Sequence, residues 1–357
     1  MSSQVITESG LKADTGFAVR EPLWGGVGVT LPEDQRPDNW ADARRLAGLQ
    51  WDPIEETCYR QHITMEDGSP RTVYSEVPEF KYVVRSDNGR ILSQANATYE
   101  IVSNGDMGLI MDALLGRGSA DGPKLNFETA GSLHGGRKVW ALLEMGDEME
   151  INGDPSPYKR YLAILNTHDG SGAVKAISTT VRVECWNSWK MADLDAKANG
   201  TAYSFHHSVG WKTRIEKIAE EARLAISGVM KQHDDYFHLA NELMSLDVTP
   251  SQEQRFCEEF IRPTSMDWRL KPKALENVNE RRDELLALIR QSPTCEPIRP
   301  SAYRLVQGAG ELCDHVRGTK HGGLRGQEAR LDRSVFRTYD LKRRARTLAL
   351  LAADGEL

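Results

Sequence analysis

The first part of the chain contains stretches that alternate between apolar and polar residues, whereas the later part repeats its apolar residues every three or four positions. Alternation with a period of two predicts β-strands, and the longer period predicts helices that bury one face. Strand-like segments fall at 56–104, 137–145, 161–166 and 173–185. Because the strands come first and the helices follow, we expect an α+β fold and not an alternating α/β fold.

Two dipeptides predict tight turns between strands. Asn88-Gly89 separates two β-rich runs, and Asp169-Gly170 separates two others. Both dipeptides favour the positive φ angles that two-residue hairpin turns require. The N-terminal half is therefore expected to be an antiparallel β-rich structure.

Helical spacing is clearest at 211–229, which predicts a central amphipathic helix of about five turns. Two helix starts have capping residues, Asn39 before a short helix at 39–49, and Thr249 followed by Pro250. The remaining predicted helices are 106–115, 233–245, 274–291, 301–317 and 328–353.

These patterns divide the chain into a flexible arm at 1–22, an α+β core domain at 23–246, and a helical C-terminal region with a basic tail at 247–357. Between Arg299 and Arg346 there are 12 Lys/Arg against 5 Asp/Glu, a net charge of +7, whereas the whole chain has −7. Such asymmetry suggests either an end that faces a polyanion or a solvated helical face rich in arginine. Both interpretations stay open.

The composition is that of a folded protein, with 39% hydrophobic and 27% charged residues among 357. Its five cysteines are widely spaced and form no CxxC motif, which favours a reducing compartment. The first 20 residues lack the apolar segment of a signal peptide, and no apolar run approaches the ~20 residues of a membrane span. We therefore expect a cytoplasmic protein.

The segment from Gly131 to Lys138 has the glycine spacing of a phosphate-binding loop but not its chemistry. Arg137 and Lys138 stand where such a loop needs lysine and a metal-binding hydroxyl, and a strand follows instead of a helix. We therefore expect no nucleotide cofactor. The segment is either a Gly-rich turn entering a strand, or a place where the backbone approaches nucleic acid and Arg137 or Lys138 neutralises a phosphate.

Two histidine-containing pairs, His168-Asp169 and His206-His207, raise the question of a metal or acid–base site. Adjacent residues point in different directions, and no established metal-binding or serine-nucleophile motif is present. We assign no catalytic residue and no metal ligand. An enzyme that uses these residues remains an alternative.

Basic and aromatic residues near the strand at 173–185 form a candidate nucleic-acid surface. Lys175 and Arg182 lie on opposite faces of that strand if it is regular. Trp186, Trp189 and Lys190 follow, which fits either base stacking beside phosphate contacts or packing of the strand end on the next helix. The candidate nucleic-acid-binding residues are Arg137, Lys138, Lys175, Arg182, Trp186, Lys190, Lys212 and Arg214.

Several segments, in a conserved order over roughly 20–350, resemble a family of phage- and plasmid-borne proteins classed as DUF932. The most specific are Gly131-Ser132-Leu133-His134-Gly135-Gly136 and Thr179-Thr180-Val181-Arg182-Val183. Trp186 stands where a smaller polar residue is expected, and His207-Ser208 where His-Thr is usual. The other segments are 22–28, 127–130, 137–140, 161–162, 168–171, 184–187 and 310–315.

The resemblance implies a protein of phages, plasmids and integrated elements, distantly related to the Rad52-type single-strand annealing superfamily. Such proteins have an α+β core, form rings or helical oligomers, and hold single-stranded DNA in a basic groove without nucleotide hydrolysis. It therefore implies ATP-independent annealing of single-stranded DNA in homologous recombination by a homo-oligomeric ring or filament. A phage exonuclease and a host single-strand-binding protein are the candidate partners, and no membrane is involved.

Two other functions stay open. One is a structural or host-interaction protein of a mobile element. The other is a metal-dependent enzyme that acts on nucleic acid through His168, Asp169, His206 or His207.

Overall fold

The structure is a computed structural model. It describes residues 16–19, 29–115, 125–146, 148–170, 174–182, 188–190, 203–205, 231, 233–263, 272–313 and 339–357. Strands dominate the N-terminal half and helices the C-terminal half, which confirms the predicted α+β class. Two compact units interleave along the chain. The first takes residues 1–145, 162–177 and 199–228, and the second takes 146–161, 178–198 and 229–357.

The described strands form two sheets. Eight of them make one sheet in the order β10-β9-β8-β7-β6-β1-β2, with β11 also paired to β9, and the other three make a sheet in the order β3-β4-β5. Their bounds are β1 (Gly16–Val19), β2 (Val29–Leu31), β3 (Pro53–Glu66), β4 (Ser69–Arg85), β5 (Ile91–Asn96), β6 (Leu125–Leu133), β7 (Lys138–Met145), β8 (Tyr158–Thr167), β9 (Val174–Arg182), β10 (Ser188–Lys190) and β11 (Tyr203–Phe205).

Both predicted turns join strands. Gly89, between β4 and β5, has φ +69°, and Asn88 Oδ1 accepts a hydrogen bond from the backbone N–H of Arg90. Gly170, between the neighbouring strands β8 and β9, has φ +71°. The positive φ angles explain why glycine follows Asn and Asp at these two positions.

The strand β1 lies inside the segment 1–22 that the sequence predicted to be a flexible arm. All four of its residues are buried, and it pairs antiparallel with β6 and parallel with β2. A carbon added as Cβ at Gly16 would come within 2.9 Å of the carbonyl oxygen of Ala130, so this glycine allows the close approach of the two strands.

Two helices begin where the sequence predicted their capping residues. Asn39 Oδ1 accepts from the backbone N–H of Asp42, and Thr249 forms a reciprocal capping box with Gln252 around Pro250. The central helix predicted at 211–229 lies outside the described residues. The helical bounds are α1 (Trp40–Leu46), α2 (Asp106–Leu115), α3 (233–245), α4 (Pro250–Phe260), α5 (Pro272–Gln291), α6 (Ala302–Glu311) and α7 (Tyr339–Asp354).

The core of the second unit contains a buried polar cluster among apolar helices. The hydroxyls of Tyr158 and Tyr303 each donate to Asp154 Oδ2, over 3.1 and 3.0 Å, and all three residues are buried. Tyr236 packs against Tyr158, with ring centroids 6.2 Å apart. Hydrogen bonding of this kind offsets the cost of burying a carboxylate. Because Tyr158 lies in β8 and Tyr303 in α6, the shared carboxylate links these two elements.

Candidate nucleic-acid interface

The segment from Gly131 to Lys138 is a tight turn between two strands. β6 and β7 pair antiparallel from Leu125 and Met145 to Leu133 and Lys138, and residues 134–137 connect them. His134, Gly135 and Gly136 have φ angles of 55°, 73° and 97°. A strand, β7, follows the turn directly, as the sequence predicted, so this turn does not lead into a helix.

The two glycines of this turn allow large side chains to pack on its backbone. A Cβ at Gly135 would lie 1.8 Å from Cζ of Arg90, and a Cβ at Gly136 would lie 2.6 Å from the ring of Trp51. Arg85 donates from Nη1 to the carbonyl oxygen of Gly135 over 3.2 Å. Its guanidinium lies 4.2 Å from the centroid of the Trp51 ring, a cation–π contact.

Three arginines thus surround the turn, and we call this feature the arginine turn (Arg85, Arg90, Gly135, Gly136 and Arg137). Arg90 and Arg137 are exposed to solvent. Arg85 is held by Asp87 through two hydrogen bonds of 3.0 and 2.8 Å. Arginine guanidinium groups bind phosphate oxygens in a bidentate manner and are weakly hydrated. The arrangement can therefore hold an anion at the protein surface.

His168 contacts the backbone of the arginine turn from the protein interior. Its backbone N–H donates to the carbonyl oxygen of Arg137 over 2.7 Å. Its imidazole Nε2 lies 3.1 Å from Asn104 Oδ1, and its ring meets Trp51 edge-on at 5.8 Å. The amide of Asn104 donates in turn to the carbonyl oxygen of Trp51, which orients Oδ1 toward the histidine. His168 is fully buried, so it acts here as a positioning residue.

Among the described residues, no group of three or more His, Cys, Asp or Glu side chains is placed to hold a metal ion. His206 and His207 lie outside the described residues.

The predicted nucleic-acid-binding residues differ in their exposure to solvent, and several lie outside the described residues. Arg137 is exposed, but its neighbour Lys138 is only 5% exposed within β7, and Lys175 in β9 is half-buried. The strands that contain Arg182 and Lys190 are described, but their side chains are not. Trp186, Lys212 and Arg214 lie outside the described residues.

The structure adds Arg85 and Arg90, which the sequence analysis did not single out. Both flank the Asn88-Gly89 turn, and this turn meets the β6–β7 turn in the folded protein. The sequence did contain a signal for them, since Arg85 and Arg90 flank one predicted turn and Arg137 belongs to another. Only the tertiary contact shows that the two turns come together.

Some cationic side chains of the basic C-terminal helix α7 are buried or hydrogen-bonded within the protein. Lys342 is only 4% exposed, and Arg344 donates to the carbonyl oxygen of Glu259 over 2.5 Å. Arg343 and Arg344 line a depression of about 550 Å³ together with Thr347 and Leu348. Both interpretations of the basic C-terminal region therefore stay open.

In the part of the chain that the structure describes, no helix has the length and apolar content needed to cross a membrane.

Comparison with known proteins identifies a family. No curated protein and no solved structure matches the chain. A family model described as "Domain of unknown function (DUF932)" matches residues 91–336, which is more than half of the 357 residues. The match includes the β6–β7 turn and the buried His168 that supports it. The chain therefore belongs to the DUF932 family.

Proposed function

We propose that this protein binds single-stranded DNA and anneals complementary strands without nucleotide hydrolysis, in the homologous recombination of a phage or another mobile element. The observation that carries the proposal is the arginine turn. Two exposed arginines, Arg90 and Arg137, occur with Arg85 where two hairpin turns meet. Neutralisation of phosphates by such groups supplies most of the sequence-independent affinity for nucleic acid.

The packing of the arginine turn suits this role because it limits side-chain movement. Arg85 is fixed between Asp87, the Gly135 carbonyl and the Trp51 ring. The backbone of Arg137 is anchored by His168. A preorganised cation loses less conformational entropy on binding. Contacts to phosphate alone leave the base edges free, which annealing requires.

The net charge of −7 is compatible with this proposal because nucleic-acid binding depends on the local field. The distant relation to annealing proteins that the family resemblance implies is in keeping with two features of the structure. The fold is α+β, and the β6–β7 turn leads into a strand, unlike a nucleotide-binding loop. Assembly into a homo-oligomeric ring or filament, and contact with a phage exonuclease or a host single-strand-binding protein, belong to the same proposal.

Fluorescence anisotropy with a labelled oligo-dT strand, measured over a range of salt concentrations, tests DNA binding. The double variant Arg90→Ala/Arg137→Ala is compared with Arg45→Ala/Arg71→Ala, which removes two exposed arginines whose partners are Asp42 and Glu66. We expect the first variant to lower the salt slope by about 1.4, since each phosphate contact to a single strand contributes about 0.7.

The control variant should keep the wild-type salt slope. Equal slopes for both double variants, or wild-type binding that ignores salt, would refute the assignment of the arginine turn. Circular dichroism confirms that each variant is folded.

Annealing is measured separately with two complementary strands that carry a fluorescence-transfer pair, in the presence of EDTA and without nucleotide. We expect the wild-type protein to accelerate duplex formation and Arg90→Ala/Arg137→Ala to lose most of that acceleration. A protein that binds the strand but leaves the pairing rate unchanged would refute annealing while preserving DNA binding.

A structural or host-interaction role for a mobile element is the second candidate function. An exposed apolar surface on the β3–β4 hairpin favours it. This candidate requires an assembly that forms in the absence of DNA and a protein that fails the anisotropy test.

A further inference from the structure

The hairpin of β3 and β4 extends far beyond its third strand. β5 pairs only with residues 80–84 of β4, whereas β3 and β4 remain paired to Glu66 and Ser69. We call residues 59–76 the ribbon. Eight residues on each side of a turn give it a length of roughly 25 Å. Every residue of the ribbon is exposed or half-exposed.

One face of the ribbon is apolar. Side chains alternate between faces, so Tyr59, Ile63 and Met65 of β3 share a face with Tyr74, which stands opposite Gln61. Their exposed fractions are 58%, 70%, 69% and 65%. We call these four residues the apolar stripe. Apolar surface of this extent on a soluble protein marks an interaction site.

The charges of the ribbon disfavour nucleic acid as its partner. Arg60 and Arg71 are outnumbered by Glu66, Asp67 and Glu76, so the ribbon has a net charge of −1. Binding of a polyanion requires excess positive charge at the contact. The charge of the ribbon therefore favours a protein surface over nucleic acid as the partner of the apolar stripe.

The apolar stripe is complementary to itself. Tyr59 lies at the base of the ribbon and Met65 at its tip, with Tyr74 and Ile63 at the two levels between. When two ribbons pack face to face about a two-fold axis, the base of one meets the tip of the other. Tyr59 then comes level with the partner's Met65, and Tyr74 with the partner's Ile63. Each contact thus joins an aromatic residue to an aliphatic one, the kind of pair that stabilises sheets.

The size of the stripe fits a subunit contact. Four large side chains at about two-thirds exposure present roughly 500 Å², on the basis of 150–250 Å² for one fully exposed aromatic side chain. A standard stable interface buries about 800 Å² on each partner, so the stripe supplies more than half of it. Glu76 is the one ionised residue on this face of the ribbon, and it lies at the base, so a second stripe can approach without repulsion along the centre.

We propose that the ribbon is a self-association element, through which a second copy of this chain packs its own apolar stripe on that of the first. A two-stranded ribbon is only marginally stable by itself, and the contact would stabilise both copies. This inference rests on the homo-oligomer of the proposed function and names a contact for it. It does not depend on DNA binding, because the arginine turn is not part of the ribbon.

The test is sedimentation velocity of the full chain without DNA, over a wide range of concentrations. Ile63→Lys places a charge in the apolar stripe. Thr64→Lys places the same charge on the adjacent, exposed residue of the opposite face. Tyr74→Ser provides a second stripe variant on the other strand. We expect both stripe variants to weaken association by about 30-fold or more, the loss typical of an interface hot spot, and Thr64→Lys to associate like the wild type.

A wild-type chain that stays monomeric at every concentration would overturn the proposal. So would an oligomer that is insensitive to both stripe variants, or one that Ile63→Lys and Thr64→Lys weaken equally. The variants lie outside the buried core, so circular dichroism should show unchanged folding. Since the measurement contains no DNA, its result is independent of whether the protein binds DNA. A monomeric chain would also rule out the ring or filament of the proposed function, whereas loss of DNA binding alone would leave the self-association untouched.

Discussion

Arg36 joins two glutamates on neighbouring strands and provides a sharp test of how the large sheet is stabilised. Its Nη1 lies 2.7 Å from Glu144 Oε2, and its Nη2 lies 3.1 Å from Glu128 Oε2. The Glu128 side chain is 1% exposed, and those of Glu144 and Arg36 are 11% exposed. Arg36→Met keeps the aliphatic stem but leaves two carboxylates without this cation. Removing one partner of a buried ion pair costs about 3–5 kcal/mol.

Urea unfolding followed by circular dichroism measures this cost. A loss of that size is a large fraction of the ~5–15 kcal/mol that stabilises an ordinary protein. Arg36→Met/Glu128→Gln should recover part of the loss, because one of the two buried charges is removed with the cation. Arg45→Met breaks an exposed ion pair with Asp42 and should cost about 0–1 kcal/mol. If Arg36→Met costs no more than Arg45→Met, the reasoning is wrong.

Two further predictions concern pH and packing. Burial, with a smaller contribution from the charge of Arg160, lowers the pKa of His233 from 6.5 to about 3. The free energy of unfolding should therefore be independent of this histidine above pH 6.5. Between pH 6.5 and pH 3 it should fall by up to ~1.4 kcal/mol per pH unit, since only the unfolded state binds the proton in that range. His233→Gln should flatten this profile in acid titrations of the unfolding midpoint. A variant with the same pH profile as the wild type would contradict the argument. Gly131→Ala would place Cβ 2.3 Å from Cη2 of buried Trp140 and should cost roughly 1–3 kcal/mol in urea unfolding. An unchanged midpoint would show that the ring moves freely.

Local signals located several elements because their causes are local. Thr249-Pro250 begins α4, since the cap needs only residues within one turn of the helix. Asn88-Gly89 and Asp169-Gly170 join strands, since positive φ is a property of the turn itself. The helix predicted at 211–229 stays a prediction.

Other strands escaped detection because their signals are not local. β1 has four residues, too few for a hydrophobic pattern, and it is defined by its pairing with β6 and β2. β6 is buried on both sides along most of its length, so it shows no alternation. Its glycine at 131 is required by the Trp140 ring of the next strand.

The features of the candidate site also fall into those that local sequence determines and those that tertiary structure determines. The sequence by itself determined the fold class, the glycine turn before β7 and the basic character of Arg137, because these depend on neighbouring residues. Only the tertiary structure decided that Arg85 and Arg90 lie against that turn and that Lys138 is buried beside the exposed Arg137. It also decided that the apolar residues of the β3–β4 ribbon face solvent and not a core. Alternation predicts which residues share a face, but burial of that face depends on whether another element covers it.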